Sequence, residues 1–177
     1  MVWCPTQLMY VKGHRNYAHC TARKVMQISE HGVDLLTKWE GCVPHIYKDA
    51  AGLPTIGVGH LLTQKEKIGG KYAGGITEQQ AKELLKTDLR RFESLVNSRV
   101  TTPLEQHEYD ALVIFVFNIG VAGFCSSSVL RAINENRKED VPAALRLWNK
   151  ITIHGQHVIN KGLVNRRENE IKLFMGA

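Results

Sequence analysis

The stretch from Trp39 to Thr63 constrains the fold more than any other, because its pattern changes from helical to extended within a few residues. Before position 40, apolar residues recur at spacings of three and four, which is typical of an amphipathic helix; they are Val33, Leu35, Leu36 and Trp39. After position 42, two short apolar runs flank a turn-rich segment, which predicts a β-hairpin. The chain is therefore predicted to combine helices with one small sheet near its front.

Three side chains of this stretch are candidates for chemistry. Glu40 lies at the predicted end of the helix, Asp49 lies in the predicted turn, and Thr55 opens the second strand. Two carboxyl groups in different environments are what acid–base cleavage of a glycosidic bond requires. Most such pairs are solvated surface charges, so the pair alone is weak evidence. The run Ile-Gly-Val-Gly-His at 56–60 makes the pattern far more specific.

The same stretch resembles the active-site segment of the phage-type lysozymes, the endolysins of glycoside hydrolase family 24. That family has a Glu, eight residues, an Asp, five residues, a Thr and then Ile-Gly-x-Gly-His, and each of these places is filled here between Glu40 and His60. The resemblance covers about 26–177 and is absent from 1–25. It implies a muramidase that hydrolyses the β-1,4 bond between N-acetylmuramic acid and N-acetylglucosamine in bacterial peptidoglycan, so that the host is lysed and progeny phage are released.

The resemblance also implies a role for each of the three side chains. Glu40 would be the general acid that protonates the leaving sugar oxygen. Asp49 would act as a base for water or would stabilise the oxocarbenium-like transition state. Thr55 would help to place the water molecule, and inversion at the reacting carbon is the implied outcome. No cofactor is needed for this chemistry, and no metal is predicted.

Supporting and substrate-binding residues are implied in further places. Arg166 matches an arginine that contacts the acid, with Arg167 as its neighbour, and His60 is expected to pair with Asp88. Substrate contacts are expected from four more residues, which are Leu61, Phe117, Asn118 and Ser127. For all of these residues, a packing, capping or surface role is the competing interpretation.

The rest of the chain reads as mostly helical, so the predicted fold class is α+β. Ser29 can cap the first helix, residues 61–76 read as the end of the sheet and a surface loop, and Thr77 begins a capping box and a long helix. A helix that is apolar on nearly all sides is predicted to end at Gly120, and a loop follows at 123–128. Later helices are predicted at 129–134, from 142 to 148 and at 162–174.

The predicted architecture is a lysozyme-like domain of two lobes with an extension before it. Residues 1–25 show neither helical nor strand periodicity and are predicted to be an N-terminal extension of unknown role. The lysozyme domain is predicted at 26–177, with a small N-terminal lobe and short β-sheet at about 26–76, a long connecting helix at about 77–97, and a larger helical C-terminal lobe at about 98–177. A groove between two lobes suits a polymeric substrate.

The charge of the chain favours an acidic partner. The net charge of +6 suits either nucleic acid or the carboxylated peptides of the bacterial cell wall. No Lys/Arg run is longer than two and no nucleic-acid-binding motif occurs, so peptidoglycan is the expected partner and nucleic acid is not. No stretch approaches the roughly 18 apolar residues of a membrane span, and no signal-peptide core is visible.

The resemblance adds an expectation about location. The protein should stay in the host cytoplasm until a phage holin gives it access to the periplasmic wall. A monomer is expected.

The four cysteines are expected to be reduced thiols, because none forms a Cys-x-x-Cys pair; they are Cys4, Cys20, Cys42 and Cys125. Cys20 with His14 and His19 is a weak candidate for a metal site.

Two other functions fit the same scaffold. A lytic transglycosylase keeps the Glu but needs no Asp, so the pairing of Asp49 with Thr55 argues against it. A non-catalytic peptidoglycan-binding or inhibitor protein would have no need of Glu40 and Asp49, and both are present.

Overall fold

The computed structural model of the chain describes residues 25–153 and 155–177. Apart from Val25, the predicted extension lies outside the described residues, and so does the candidate cluster of His14, His19 and Cys20. In chain order the elements are α1 (Glu30–Glu40), β1 (Val43–Lys48), β2 (Pro54–Gly57), β3 (His60–Leu61), α2 (Gln64–Ile68), α3 (Glu78–Arg99), α4 (Gln106–Ser126), α5 (Ser128–Asn134), a 3-10 turn (Lys138–Asp140), α6 (Val141–Arg146), β4 (Lys150–Ile153), β5 (Gln156–Ile159) and α7 (Lys161–Phe174).

The first sheet is antiparallel, with strand order β1-β2-β3. Gly57 and Gly59 have φ of 66° and 75°, a left-handed conformation that glycine adopts without a steric penalty. A Cβ on Gly57 would come within 3.2 Å of the Ala81 Cβ at the start of α3. The Gly-x-Gly spacing therefore serves both a tight turn and a close approach of the sheet to α3. A small core lies behind the sheet, made of Ile56, Leu62 and Tyr72.

The main core is built around α4, whose residues 108–116 are all buried. The buried face of α3 packs against it, and so do Val33 and Leu36 of α1. Helix α1 thus connects the hairpin that follows it to the large core. The structure confirms the predicted fold class, which is α+β with a small sheet, a long connecting helix and a larger helical lobe. The division at residues 26, 77 and 98 stays a prediction.

Helix α4 departs from the expectation that no stretch of the chain is apolar enough to span a membrane. Among the described residues it is long and apolar enough to cross a membrane, with 21 residues and a mean hydropathy of 1.7 in its most apolar window. Half of that window is buried inside the protein, which is typical of a core helix. Gly120, with φ of 79° and ψ of 168°, interrupts the helical backbone where the sequence predicts the helix to stop.

Three local predictions are wrong. The predicted surface loop at 61–76 contains the short helix α2, because Thr63 and Glu66 form a capping box. The predicted loop at 123–128 is helical up to Ser126, since the chain resumes a helical turn after Gly120. The prediction of a single sheet misses the second, two-stranded sheet of β4 and β5.

Candidate active site

Glu40 is the last residue of α1, and the start of that helix is fixed to the main core. Ser29 caps the helix and donates from its backbone N–H to Asp110 Oδ1 of α4, at 2.9 Å. Gly41, with φ of 80°, then ends the helix. The Glu40 side chain projects beyond this end and is 30% exposed. A carboxyl group on a rigid helix end, still open to solvent, is well placed to meet a substrate.

Two arginines of α7 connect Glu40 to the core. Arg166 Nη1 donates to Glu40 Oε1 at 2.5 Å, so the contact expected between these residues is present. Arg166 Nε donates to Glu170 Oε1 at 3.1 Å. Arg167 Nε lies 3.1 Å from Glu170 Oε2 without hydrogen-bond alignment, and Arg167 Nη2 donates to Asn118 Oδ1. Charged side chains of α1 and α7 and one amide of α4 thus form a single network.

Burial dominates the electrostatics of this network. Glu170 and Arg167 have no exposed surface. Burial raises the pKa of Glu170 to about 7, the charges of Arg167 and Arg166 oppose this rise, and the carboxylate of Glu40 adds to it. Burial likewise lowers the pKa of Arg167. The protonation state of Glu170 is therefore sensitive to pH near neutrality.

Asp49 is fixed by the loop between β1 and β2. Its Oδ1 accepts hydrogen bonds from Ala51 N at 2.9 Å and Leu53 N at 2.8 Å, and Gly52 N donates to the Asp49 carbonyl at 2.9 Å. These bonds close the turn and hold the carboxylate in one orientation. Within the described part of the chain, Oδ2 of Asp49 accepts no hydrogen bond, so that oxygen can take part in chemistry with water.

Thr55 lies in β2, just after this loop, and belongs to a row of side chains that runs across the sheet. It pairs with Tyr47 on one side and with Leu61 on the other, so the three side chains share one face. Only 2% of Thr55 is exposed, and its hydroxyl donates to the Leu53 carbonyl at 3.1 Å. The hydroxyl proton is therefore engaged by the loop that carries Asp49. Its oxygen is left as an acceptor for a water molecule.

His60 links the sheet to α3. Its Nδ1 lies 2.8 Å from Asp88 Oδ2, and its Nε2 lies 3.3 Å from Glu66 Oε2. Burial would raise the pKa of Glu66, but hydrogen bonds from Thr63, Tyr72 and Lys71 hold it well below its usual range. The expected pairing of His60 with Asp88 is present, and it joins the small sheet to the long connecting helix.

The four candidate substrate contacts differ in exposure. Leu61 is half exposed, next to Thr55 in the sheet. Phe117 is half-buried with its ring edge-on to Phe92, and Asn118 is exposed. Ser127 is buried and caps α5, accepting from Leu130 N and donating to the Phe124 carbonyl. Ser127 is the weakest candidate, because capping already uses its hydroxyl.

A cavity of about 740 Å³ adjoins Asn118 and Ser127. It is lined by the end of α4, the start of α5, the β4–β5 hairpin and the start of α7. Among the described residues, its lining carries no acidic side chain and three basic ones, which are Arg131, Lys150 and His157. An anionic group of a bound molecule would be favoured there.

Sequence reasoning gave no role to Glu170 or to the hairpin residues of the cavity. A signal for Glu170 was present, because positions 163, 167, 170 and 174 repeat at the helical spacing of a buried face, and two of them are charged. Charged residues on a buried face usually pair with each other. For the hairpin, alternation in Lys-Ile-Thr-Ile before Gly155 was the available signal.

Known proteins are similar to this chain in sequence. The family described as phage lysozyme matches residues 37–170. The endolysin of Salmonella phage P22 is 43% identical over 128 residues, covering 71% of this chain and 86% of that protein. The SAR-endolysin of Pseudomonas phage phiKMV is 39% identical over 137 residues, covering 77% and 81%.

The solved structures agree as well. The muramidase domain of SpmX from Asticaccaulis excentricus is similar with a TM-score of 0.74 at 36% identity, covering 84% of this chain and 97% of that one. The matches define a lytic enzyme of the bacterial cell wall, of the endolysin type. The chain belongs to the phage lysozyme family.

Proposed function

We propose that this protein is a muramidase that hydrolyses the β-1,4 bond between N-acetylmuramic acid and N-acetylglucosamine, with Glu40 as its general acid. The observation that carries the proposal is the placement of Glu40 on a helix end, in contact with Arg166 and partly open to solvent. Its protonated form can give a proton to the leaving sugar oxygen.

Asp49 and Thr55 supply the second half of the reaction. The Asp49 carboxylate, oriented by its own loop, takes a proton from water or stabilises the positive charge that develops on the sugar ring. The Thr55 oxygen accepts a hydrogen bond from the same water molecule. Attack on the face opposite the leaving group inverts the reacting carbon, and it requires carboxyl groups roughly 6.5–9.5 Å apart.

The substrate is peptidoglycan, and the charge distribution supports this. The chain carries a net charge of +6, and three basic side chains line the cavity beside Asn118. The glycan would contact Leu61, Phe117 and Asn118, and the carboxylates of the wall would be attracted to the basic lining. The three proposed catalytic residues all belong to one chain, which supports a monomer as the active form.

Product analysis tests the reaction. Purified sacculi are digested with the protein, and the fragments are identified by mass spectrometry. Hydrolysis gives reducing-end muramic acid, whereas a lytic transglycosylase gives anhydro-muramic products, and a non-catalytic binding protein gives no fragments. Anhydro products or intact sacculi would therefore contradict the proposal.

The Glu40→Gln variant tests the acid. It should abolish the turbidity loss of permeabilised Gram-negative cells, because an amide is too weak an acid to protonate the leaving oxygen, while the fold is kept. Glu30→Gln is the matched control, since Glu30 begins the same helix and, among the described residues, pairs with Lys86 at the surface. Lysis by Glu40→Gln at the rate of the control would remove Glu40 from the acid role.

The site of action follows from the endolysin class. The protein remains in the host cytoplasm until a phage holin opens the membrane, and it then acts on the periplasmic wall. Expression of the chain alone should leave cells intact until the membrane is permeabilised. Lysis without holin or permeabilisation would instead indicate export by its own sequence.

A further inference from the structure

The last helix carries a buried carboxylate that the proposed mechanism does not use. Glu170 has no exposed surface, although glutamate is rarely fully buried without a partner. Its Oε1 accepts a hydrogen bond from Arg166 Nε at 3.1 Å, and its Oε2 lies 3.1 Å from Arg167 Nε. One carboxylate thus lies between two guanidinium groups of the same helix.

The two arginines reach different elements. Arg166 Nη1 donates to Glu40 at the end of α1. Arg167 Nη2 donates to Asn118 of α4, and the guanidinium carbon of Arg167 lies 5.1 Å from the centre of the Phe115 ring. Glu170 therefore lies at the centre of a connection between the proposed acid and a proposed substrate contact.

Stability alone explains this network poorly. Buried ions lose their hydration, and their mutual attraction makes up for this loss only when every polar atom is well paired. Here four atoms are buried without a hydrogen-bond partner in the described part of the chain: Arg166 Nη2, Arg167 Nε, Arg167 Nη1 and Glu170 Oε2. Apolar residues of similar volume are often at least as stabilising. The network is better explained by where it places Glu40 and Asn118.

We propose that Glu170 is a positioning residue of the active site, which holds Arg166 against Glu40 and Arg167 against Asn118. The inference rests on the proposed function, because it assumes that Glu40 is the acid. Glu170 itself touches no substrate. It acts through the two arginines, whose side chains are too long and flexible to keep one geometry unaided.

The charge of Glu170 also acts on Glu40. The charged groups that face Glu170 are Arg166 and Arg167 on its own helix and Glu40 on α1, while α4 contributes the neutral Asn118. Arg146 of α6 is engaged at the surface by Glu168. An ionised Glu170 competes with Glu40 for Arg166 and repels the Glu40 carboxylate. Loss of that charge would leave Glu40 as the one remaining anionic partner of Arg166 in the described part of the chain.

The Glu170→Gln variant tests this effect, because it keeps the side-chain volume and an acceptor for Arg166 but removes the charge. At about pH 8, where Glu170 is ionised, both arginines lose their shared anionic partner in this variant, so kcat should fall roughly tenfold while KM stays within about twofold. Glu170→Asp keeps the charge but withdraws the carboxylate by one methylene. It should lower kcat by a similar factor, again with little change in KM.

Glu168→Gln is the matched control, because Glu168 lies two positions earlier on α7 and pairs with Arg146 at the surface, and its kcat and KM should equal those of the wild type. Folding is checked by thermal melting. If Glu170→Gln is folded and its kcat at about pH 8 is unchanged, the role of the charge is wrong. If Glu170→Asp keeps the wild-type kcat, the positioning role is wrong, even where the Gln variant cannot be assayed. Both results leave the muramidase proposal intact, whereas an active Glu40→Gln variant would remove that proposal first.

A pH titration of stability gives an independent measurement. The pKa of Glu170 is raised to about 7 from its usual 4.5, so the folded state favours the protonated form. Its contribution to stability is fully present below about 4.5 and is lost as the pH rises through about 7. The melting temperature of the wild type should therefore fall relative to Glu170→Gln across that window. A constant difference between the two proteins would show that Glu170 is not titrating in its buried site.

Discussion

The two hairpins of this protein differ in their second strands, since β2 is mostly buried and β5 is exposed, whereas β1 is mostly exposed like β4. The β1–β2 hairpin is backed by β3 and by a small core that contains Ile56, which has no exposed surface. In β4 and β5 every residue is exposed, including Ile151 at 37% and Ile159 at 63%. The first hairpin can hold side chains in fixed positions because packing supports it. The second has no core of its own.

The two hairpins also differ in the functional side chains that they present. The first presents Asp49 and Thr55, whose hydrogen bonds run within the hairpin. In the second, directly paired residues share a face, and Thr152 lies 3.3 Å from His157. That face also carries Lys150, and both Lys150 and His157 line the cavity. The proposed catalytic residues Asp49 and Thr55 therefore lie on the packed hairpin, whereas the exposed hairpin contributes basic side chains to the cavity.

The largest expected effect comes from the loop of the first hairpin. Asp49→Asn should lower the rate of cell lysis at least about a hundredfold, the scale of a general acid–base contribution. The turbidity of permeabilised cells measures this rate. Asp34→Asn is the control, because Asp34 is an exposed carboxylate paired with Lys82 at the surface. A near-normal rate for Asp49→Asn would contradict the catalytic role of Asp49 and, with it, the proposed functional difference between the two hairpins.

Packing gives the next effect. Ile56→Val removes one methyl group from a closed core and should cost about 1 kcal/mol of unfolding free energy. Ile151→Val removes the same group from an exposed strand and should change stability by no more than about 0.5 kcal/mol. Denaturant unfolding of both variants measures the difference. Equal losses would show that the second hairpin is packed as tightly as the first.

The smallest expected effect is electrostatic. Lys150→Glu reverses a charge beside the cavity and should slow lysis of sacculi about three- to tenfold at low salt, with less effect at high salt. Lys67→Glu, at the exposed end of α2, controls for net charge alone. Equal slowing by both variants would mean that overall charge, rather than the second hairpin, attracts the wall.

Local signals account for most of what could be predicted. Ser29, Thr77 and Gly120 each mark a helix boundary by themselves, because capping and left-handed backbone depend on one residue type. The second hairpin escaped prediction because its short alternation has no buried face to strengthen it. The α2 helix escaped because five residues are too few to show a period.

The sequence by itself determined the stretch that carries Glu40, Asp49 and Thr55, because a helix end and a tight hairpin each depend on short local patterns. Only the tertiary structure decided what surrounds Glu40, the proposed acid. Arg166 reaches Glu40 across 126 positions of sequence, and Glu170 is buried beneath both. The periodicity of α7 shows which of its faces is buried, but contacts so distant along the chain depend on how the helices pack.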